Sequence, residues 1–192
     1  LMEHLKNHHG ERSMVVLRPA DGEETVMAWK LAVEEHRPVA LVLSRQNIKN
    51  LPTLGASRRE EAAQVAKGGY VVLDSAKPEV VMVATGSEVS TLVEGAELLA
   101  AEGIAVRVVN VPSEGLFRDQ PRSYQESVLP AGVVRYGMTS GLPLNLLGLV
   151  GDSGMIHGLD HFGYSAPYTV LDEKFGYNGP TVAAEVKKML GK

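Results

Sequence analysis

Residues 80–111 read VVMVATGSEVSTLVEGAELLAAEGIAVRVVNV, and they say more about the fold than any other part of the chain. The first five residues are apolar and predict a buried strand. Thr85-Gly86-Ser87 then predicts a tight turn into a helix with Ser87 as its cap, and Gly103 is a suitable residue to end that helix. A second apolar run at 106–111 predicts the next strand. Strand, helix and strand in this order are typical of an α/β fold.

The same alternation continues on both sides of this stretch. It starts near residue 70, and it is interrupted only by a loop-rich region predicted at 139–166. Alternation of this kind indicates a complete α/β layer from residue 70 onward. The other predicted elements are strands at 70–73 and 133–136 and helices at 115–118, 122–129, 167–175 and 180–190.

A separate strand–helix–strand pattern lies near the start of the chain. The apolar runs 14–17 and 39–43 predict buried strands. Between them, Asp21 is a good N-cap and Glu24 occupies the N3 position of a capping box, so a helix is expected to follow. Trp29 lies on the apolar spacing of this helix and is expected in the core. The pattern predicts two parallel strands joined by a crossover helix.

Two features bear on the organisation of the chain into domains. The stretch from 47 to 67 has no sustained apolar run, and its Pro52, Gly55 and Arg58-Arg59-Glu60-Glu61 are typical of a linker. A domain boundary is therefore predicted between about 47 and 69. Residues 1–6 have the pattern of the middle of an amphipathic helix without an N-cap, so we expect the chain to be a piece of a longer protein.

Composition narrows the classes of function. Of the 192 residues, 44% are apolar and 22% are charged, and the net charge of −4 argues against a general nucleic-acid-binding protein. The absence of cysteine excludes disulfides, thiolate catalysis and cysteine-ligated zinc, and it fits a cytoplasmic protein. No apolar run approaches the ~18 residues of a membrane span, so we expect neither a membrane nor a nucleic acid as partner.

The histidines are candidates for a metal site, because two histidines and a carboxylate can bind zinc. Two groups have the i, i+4 spacing of a helical metal site: His157 and His161 with Asp160 between them, and His4 with His8. The surroundings of the first group are loop-like, and a third ligand is not evident for either. We therefore predict no metal ligand in this chain and interpret the histidines as exposed or core-edge residues.

Two positions follow predicted strands, where α/β sheets commonly bind ligands. Gly86 could place a phosphate at the N-terminus of the next helix, but the complete G-x-G-x-x-G pattern is absent, and a structural turn is favoured. Arg45, in the string Ser44-Arg45-Gln46-Asn47, can donate two hydrogen bonds to a phosphate or a carboxylate. Position alone leaves phosphate binding and a structural ion pair both open for Arg45.

Several short strings occur in an order and at a spacing that one enzyme family shares. The most specific are LSRQN at 43–47 and ATGSEVS at 84–90. The others are VLRPAD at 16–21, LP at 51–52, GGY at 68–70, ESVLP at 126–130, GLD at 158–160 and FGYSAP at 162–167. Together these strings cover nearly the whole chain, and they resemble the transketolase family.

The resemblance implies an α/β fold in two parts. Residues 1–56 are expected to be the C-terminal part of a pyrimidine-binding domain, of which only a portion is present. Residues 57–69 are expected to form a linker. Residues 70–192 are expected to be a complete C-terminal domain, with a Rossmann-like three-layer architecture and a mainly parallel sheet.

The resemblance also implies an activity. Transketolases transfer a two-carbon ketol unit between sugar phosphates in the pentose phosphate pathway, as homodimers that use thiamine diphosphate with Mg²⁺ or Ca²⁺. In the family's pattern Arg45 clamps the substrate phosphate, with Ser44 and Gln46 as neighbours, whereas Arg18 is interpreted as structural. The family's catalytic, cofactor-binding and metal-binding motifs belong upstream of Leu1. We therefore expect none of those residues here, and we expect the chain alone to be inactive and free of bound cofactor.

The sequence departs from the family's pattern between 134 and 160. YGMTSGLP at 136–143 stands where the family usually has a Glu-Ala-Gly or similar turn, and His161 replaces a frequent arginine. One alternative is another thiamine-diphosphate enzyme with the same two domains, such as a deoxyxylulose-phosphate synthase or a 2-oxo acid dehydrogenase β subunit. The string at 43–47 favours transketolase over these. A second alternative is a non-catalytic α/β module with a regulatory or assembly role.

Overall fold

The computed structural model describes residues 2–55 and 57–192, so Leu1 and Ala56, which bound the predicted first segment, lie outside the described residues. The described residues form two β-sheets with helices packed around them. The smaller sheet consists of β1 (Val15–Leu17) and β2 (Val39–Leu41). The larger sheet consists of β3 (Tyr70–Leu73), β4 (Val80–Ala84), β5 (Val106–Asn110), β6 (Val134–Met138) and β7 (Met155–His157).

The larger sheet is parallel except at one edge. Its strand order is β3-β5-β4-β6-β7, and β3 runs antiparallel to β5. In the centre, Val83 of β4 pairs with Val109 of β5 and with Gly137 of β6. Every residue of β4 is buried, as expected for a strand that is covered on both faces. The mainly parallel sheet predicted from the sequence is confirmed.

Helices cover both faces of the larger sheet. The helices of the chain are α1 (Gly22–Glu34), α2 (Arg58–Ala62), α3 (Glu88–Ala101), α4 (Glu114–Arg118), α5 (Arg122–Val128), α6 (Leu147–Val150), α7 (Tyr168–Phe175) and α8 (Gly179–Leu190). Val80, Met82 and Ala84 share one apolar core with α3 and α8. Val81 and Val83 share a second core with α4, α5 and α6. Because neighbouring residues of β4 serve opposite cores, the domain has the three layers of a Rossmann-like fold.

A glycine allows α3 and α8 to pack closely. A Cβ atom at Gly95 would lie 2.4 Å from Cγ1 of Val182, which is closer than atoms can approach. Glycine inside a helix costs about 1 kcal/mol relative to alanine, so the close contact explains its presence here. The contact holds α3 against α8, and both helices share an apolar core with β4.

The smaller sheet has the predicted strand–helix–strand order. β1 and β2 are parallel, and Asp21 caps α1 by accepting a hydrogen bond from the Glu24 N–H at 2.9 Å. The core placement predicted for Trp29 is wrong, because its side chain is 55% exposed. Val33 on the same helix is 80% exposed. Among the described residues, this face of α1 has no apolar partner that would cover it.

The stretch predicted as a linker contains helical structure. Ser57 and Glu60 form a reciprocal capping box at the start of α2. A 3₁₀ turn at Ala63–Lys67 follows, and Val65 within it is buried in the same apolar cluster as Ala28 of α1. The connection between the two sheets therefore packs against α1 from residue 58 onward.

Short elements account for the other differences from the predicted pattern. The loop-rich region contains a 3₁₀ turn at Pro143–Leu146 as well as α6 and the edge strand β7. At the start of the chain, the described part of the predicted amphipathic helix is a single 3₁₀ turn at Met2–His4. These pieces are too short to show a period in the sequence. Along 2–55 and 57–192, no helix is both long and apolar enough to cross a bilayer.

Candidate functional site

A cleft of about 620 Å³ lies where chain segments leave both sheets. One wall is the loop 42–49, which follows the carboxyl end of β2. The other walls are the N-terminal turns of α3, which follows β4, and side chains between 159 and 177. We name this space the α3 cleft. Its position matches the general rule that α/β sheets bind ligands at the carboxyl ends of their strands.

The three residues that the sequence singled out for substrate binding all line the α3 cleft. Arg45 is exposed, and Ser44 and Gln46 are half-buried. Within the described part of the chain, no carboxylate lies within ion-pair distance of the Arg45 guanidinium. The structural ion pair that position alone left open is therefore not formed here. The guanidinium remains available to an anion, together with the Ser44 hydroxyl and the Gln46 amide.

The loop that carries Arg45 is tied to the rest of the chain at both of its ends. At its start, the Val42 N–H donates to the Leu17 carbonyl at 2.9 Å. Near its end, Lys49 Nζ lies 2.6 Å from Glu94 Oε1 of α3, and this hydrogen bond raises the pKa of Lys49. The loop thus bridges the smaller sheet and the C-terminal layer, which places Arg45 at the border between them.

Sequence reasoning assigned Arg18 a structural role, but the side chain also lines the α3 cleft. Its backbone fits between the ends of two strands, because its N–H donates to the Pro112 carbonyl at 2.8 Å and its carbonyl accepts from Thr85 Oγ1 at 3.5 Å. Its Nη2 lies 3.9 Å from Oε2 of Glu88, the first residue of α3. Only the packing of the segment after β1 against the ends of β4 and β5 reveals this neighbour, since 70 positions separate the two residues in sequence.

The Thr85-Gly86-Ser87 turn has the predicted place but a different hydrogen bond. Gly86 has a φ of 68°, a conformation that glycine adopts without strain. Ser87 stands at the N-cap of α3, yet its side chain accepts no bond from the helix and donates instead to Glu88 Oε1 at 3.3 Å. The N-terminus of α3 therefore opens into the cleft without a side-chain cap.

A buried polar network connects the elements around the two sheets. Arg58 Nε donates to Asp21 Oδ2 at 2.5 Å, and Arg58 Nη2 donates to Glu24 Oε1 at 2.9 Å. Glu24 also accepts hydrogen bonds from the Asn110 side chain at 2.6 Å and from the Tyr70 hydroxyl. Burial raises the pKa of Glu24 to about 7, against the lowering effect of the Ala20 N–H and of Arg58. The network joins α1, α2, β3 and β5, so it fixes the two sheets relative to each other.

His157, one of the histidines considered as a metal ligand, uses both of its ring nitrogens in hydrogen bonds within the protein. Its Nδ1 lies 3.1 Å from Glu185 Oε2 of α8, and its Nε2 lies 2.9 Å from the Phe175 carbonyl of α7. His161 and Asp160 are exposed and make no group with it. The Glu185 carboxylate raises the pKa of His157, so the protonated ring can donate to both acceptors. Its place fits the core-edge interpretation.

One group of side chains in the described part of the chain comes close enough to share a metal ion: Glu3, His4 and Glu114. These carboxylates already have partners. Glu3 Oε2 accepts from the Gly115 N–H at 2.9 Å, and Glu114 Oε1 lies 2.6 Å from Arg118 Nη2. A neighbouring guanidinium opposes the binding of a cation. The group does not fit a metal that holds a diphosphate, and we assign no metal to it.

The comparisons with known proteins all point to the same family. A family model described as the transketolase-like TK C-terminal domain matches residues 68–178. The transketolase of Geobacillus stearothermophilus is 41% identical over 195 residues, an alignment that includes all of this chain and 29% of the relative. Transketolase 2 of Vibrio parahaemolyticus is 42% identical over 181 residues, which cover 93% of this chain and 27% of the relative.

Solved structures agree with the sequence comparison. The transketolase of Leishmania mexicana superposes with a TM-score of 0.82 at 35% identity, over 94% of this chain and 26% of that chain. The transketolase of Pichia stipitis in complex with sedoheptulose-7-phosphate superposes with a TM-score of 0.81 at 34% identity, over 95% of this chain and 26% of that chain. The chain therefore spans between a quarter and three tenths of the length of these relatives.

Proposed function

The chain belongs to the transketolase family, and we propose that it works within an enzyme that transfers a two-carbon ketol unit between sugar phosphates. The observation that carries the proposal is the position of Arg45. It stands in the loop that leaves the carboxyl end of β2, exposed and without a carboxylate partner among the described residues.

We assign Arg45 the role of binding the substrate phosphate. A guanidinium presents its N–H groups in a planar fork that matches two phosphate oxygens, and such charge-assisted bonds are among the strongest polar contacts. The neighbouring Ser44 hydroxyl and Gln46 amide can donate further bonds to the same group. The relative from Pichia stipitis, solved in complex with sedoheptulose-7-phosphate, supports a sugar phosphate as the class of substrate.

We place thiamine diphosphate and its Mg²⁺ or Ca²⁺ ion in parts of the enzyme outside this chain. The family's general properties imply both groups, but the carboxylates of Glu3 and Glu114 are engaged with Gly115 and Arg118 and do not fit a metal that carries a diphosphate. When bound, the thiazolium ring supplies the carbanion that such ketol transfer needs. The contribution proposed for this chain is therefore to hold and orient the phosphate end of the substrate.

The same proposal includes the organisation of the enzyme. We divide the chain into the C-terminal part of a pyrimidine-binding domain at 1–56, a connecting segment at 57–69 and a C-terminal domain at 70–192. The change from the smaller to the larger sheet between Leu41 and Tyr70 supports this division. By analogy with the family, we propose a cytoplasmic homodimer whose partners are sugar phosphates.

A hybrid enzyme tests the function directly. The aligned segment of the Geobacillus stearothermophilus transketolase is replaced by this chain, and the purified hybrid is assayed with a ketose phosphate, an aldose phosphate, thiamine diphosphate and Mg²⁺. We expect ketol transfer at a rate within about tenfold of the parent's rate. A tenfold difference corresponds to a change of only ~1.4 kcal/mol in the activation free energy. A hybrid that is folded and binds the cofactor but transfers no ketol unit would contradict the proposal.

A further inference from the structure

We propose that Asp21 is a positioning residue for Arg45, because its buried carboxylate holds the far end of the loop that carries the guanidinium. Asp21 makes its hydrogen bonds with other residues, so it acts on Arg45 through the backbone of that loop. This role rests on the phosphate binding proposed above for Arg45, and it adds a residue of the protein interior to the same site.

The loop around Arg45 has few backbone contacts of its own. Residues 43–50 belong to no helix or strand, and their backbone groups make no hydrogen bond to another residue that the structure describes. The backbone is fixed on either side of them. The Val42 N–H donates to β1 at 2.9 Å, and the Leu51 N–H donates to Asp21 Oδ2 at 3.0 Å. The position of the loop therefore depends on these two anchors.

The anchor at Leu51 lies inside the protein. Leu51 is only 4% exposed, and its side chain belongs to the same apolar core as Val89 of α3. Asp21 is fully buried, and a hydrogen bond to a charged carboxylate is stronger than one between neutral groups. The ion pair of Lys49 with Glu94 holds the same end of the loop from the surface, where such pairs contribute little. The buried bond is thus the main anchor at this end.

The two oxygens of the Asp21 carboxylate serve different partners. Oδ1 accepts the Glu24 N–H at 2.9 Å and so caps α1. A cap requires a single acceptor, and a serine or threonine at this position would supply it as well. Oδ2 accepts the Leu51 N–H, and Arg58 Nε donates to the same atom at 2.5 Å. The loop anchor and Arg58 therefore explain why a carboxylate, with its second oxygen, stands here.

Arg58 fixes the direction of the Asp21 carboxylate. The Nη2 atom of Arg58 also donates to Glu24 Oε1 at 2.9 Å, so the guanidinium cannot turn without the loss of two hydrogen bonds. Asp21 thus receives donors from three segments, which are α1, α2 and the end of the loop. Support of this kind behind a binding residue keeps that residue in its productive geometry.

A loop that is ordered in advance improves the binding of the phosphate. An arginine on a mobile loop loses conformational freedom when it binds its ligand, and that loss reduces the affinity. Because Asp21 holds the loop in place, this cost is lower for the phosphate that Arg45 binds. The effect of Asp21 should therefore appear in KM for phosphorylated donors, and it should disappear once Arg45 has been removed.

The hybrid enzyme described above tests this role with Asp21→Asn, Arg45→Ala and the double variant. Asparagine keeps one oxygen for the cap of α1, but it presents an N–H₂ group to the Leu51 N–H, and two donors cannot bond to each other. We expect Asp21→Asn to raise KM for a phosphorylated donor by about tenfold and to change KM for an unphosphorylated donor little. In the double variant, KM should equal that of Arg45→Ala alone.

Controls and a second variant complete the experiment. Asp152→Asn makes the same change at an exposed position and should leave both KM values as in the parent. Circular dichroism and the binding of thiamine diphosphate report whether each hybrid is folded. Lys49→Met loosens the same end of the loop without a change in the interior. It should raise KM for the phosphorylated donor by about two- to fivefold, and only while Arg45 is present, with the exposed Lys77→Met as its control.

An equal rise in KM for both kinds of donor in a folded Asp21→Asn hybrid would overturn the proposal, since it would show a general structural role. Effects of Asp21→Asn and Arg45→Ala that add in the double variant would also overturn it. Where Asp21→Asn does not fold, an unchanged KM in Lys49→Met has the same meaning. Failure of the function proposed for Arg45 has a different result: Arg45→Ala by itself would then show no preference for the phosphorylated donor.

Discussion

Arg58 and Asp21 form an ion pair in the interior of the protein, with Arg58 Nε 2.5 Å from Asp21 Oδ2 and both side chains almost inaccessible. Arg58 belongs to α2, and Asp21 caps α1, so the pair joins the segment before the larger sheet to the smaller sheet. The same guanidinium also lies 2.9 Å from Glu24 Oε1. Two buried carboxylates thus depend on one cation for their charge balance.

We predict that Arg58→Met destabilises the chain by about 3–5 kcal/mol, because removal of one partner leaves buried carboxylates without a counter-charge. The free energy of unfolding in urea measures the effect. Arg59→Met, at the exposed neighbouring position of α2, is the control and should change the stability by less than about 0.5 kcal/mol. Equal stabilities for the two variants would show that the Arg58 network does not hold the sheets together.

A second prediction concerns pH and His157. Glu185 raises the pKa of His157 above its ordinary value of 6.5, and Tyr136, Tyr177 and Lys188 are further titratable groups beside this pair. Burial acts to raise the pKa of Glu185, but its bonds with His157 and Tyr136 lower it overall. Because the folded pKa of His157 exceeds the unfolded one, its stabilisation is complete below pH 6.5 and is lost as the pH rises through the folded pKa.

His157→Gln should therefore reduce the free energy of unfolding by about 1–2 kcal/mol at about pH 6 and by clearly less at about pH 9. Unfolding curves of both proteins across this range measure the difference. His8→Gln, at an exposed position, should show the same pH dependence as the parent. A His157→Gln deficit that stays constant with pH would mean that His157 contributes through packing rather than through its proton.

The third prediction is a site of proteolysis. The stretch 52–55 is exposed and precedes the capping box of α2, so a protease of broad specificity should cut there first. The two products should remain together on a sizing column, because Asp21 and Arg58 lie on opposite sides of the cut. First cuts confined to 139–166, with 47–69 intact, would contradict the proposed division of the chain.

The larger sheet could be predicted from the sequence because its signals are local. The apolar run 80–84, the glycine turn and the helical period after it correspond to β4 and α3 as observed. Glu88 was not recognised as a neighbour of Arg18, since the two residues are near only once β1 and β4 are assembled. The Arg58 network was not predicted for the same reason. A cluster of charged residues in a sequence is normally exposed to solvent, and the buried partners of Arg58 are distant from it in sequence.

The cleft position of Arg45 could be predicted because its signal is a simple positional one, an arginine just after a buried strand. β7 was missed because three residues cannot establish an alternating pattern. Trp29 was misplaced because helical spacing identifies an apolar face but not whether another element covers it. The local patterns thus predicted strands and helices and placed Arg45 after a strand end, whereas every feature that depends on contacts between distant segments required the structure.

The fourth prediction is that the chain alone does not bind thiamine diphosphate tightly. A diphosphate in this family is held through a divalent ion, and the carboxylates of Glu3 and Glu114 already have partners at 2.9 Å and 2.6 Å. Calorimetric titration of the chain with thiamine diphosphate and Mg²⁺ should show no binding tighter than about 1 mM. Micromolar binding would mean that the cofactor site has been placed in the wrong part of the enzyme.

The role of Arg45 is measured most directly by Arg45→Ala in the hybrid enzyme, with phosphorylated and unphosphorylated ketoses compared as donors. We predict that KM for the phosphorylated donor rises by about ten- to hundredfold, from the ~1.5–3 kcal/mol of a charge-assisted hydrogen bond. KM for the unphosphorylated donor should change little, and the control Arg59→Ala should affect neither. An equal loss with both donors would contradict the account and show that Arg45 serves the fold or the cofactor instead.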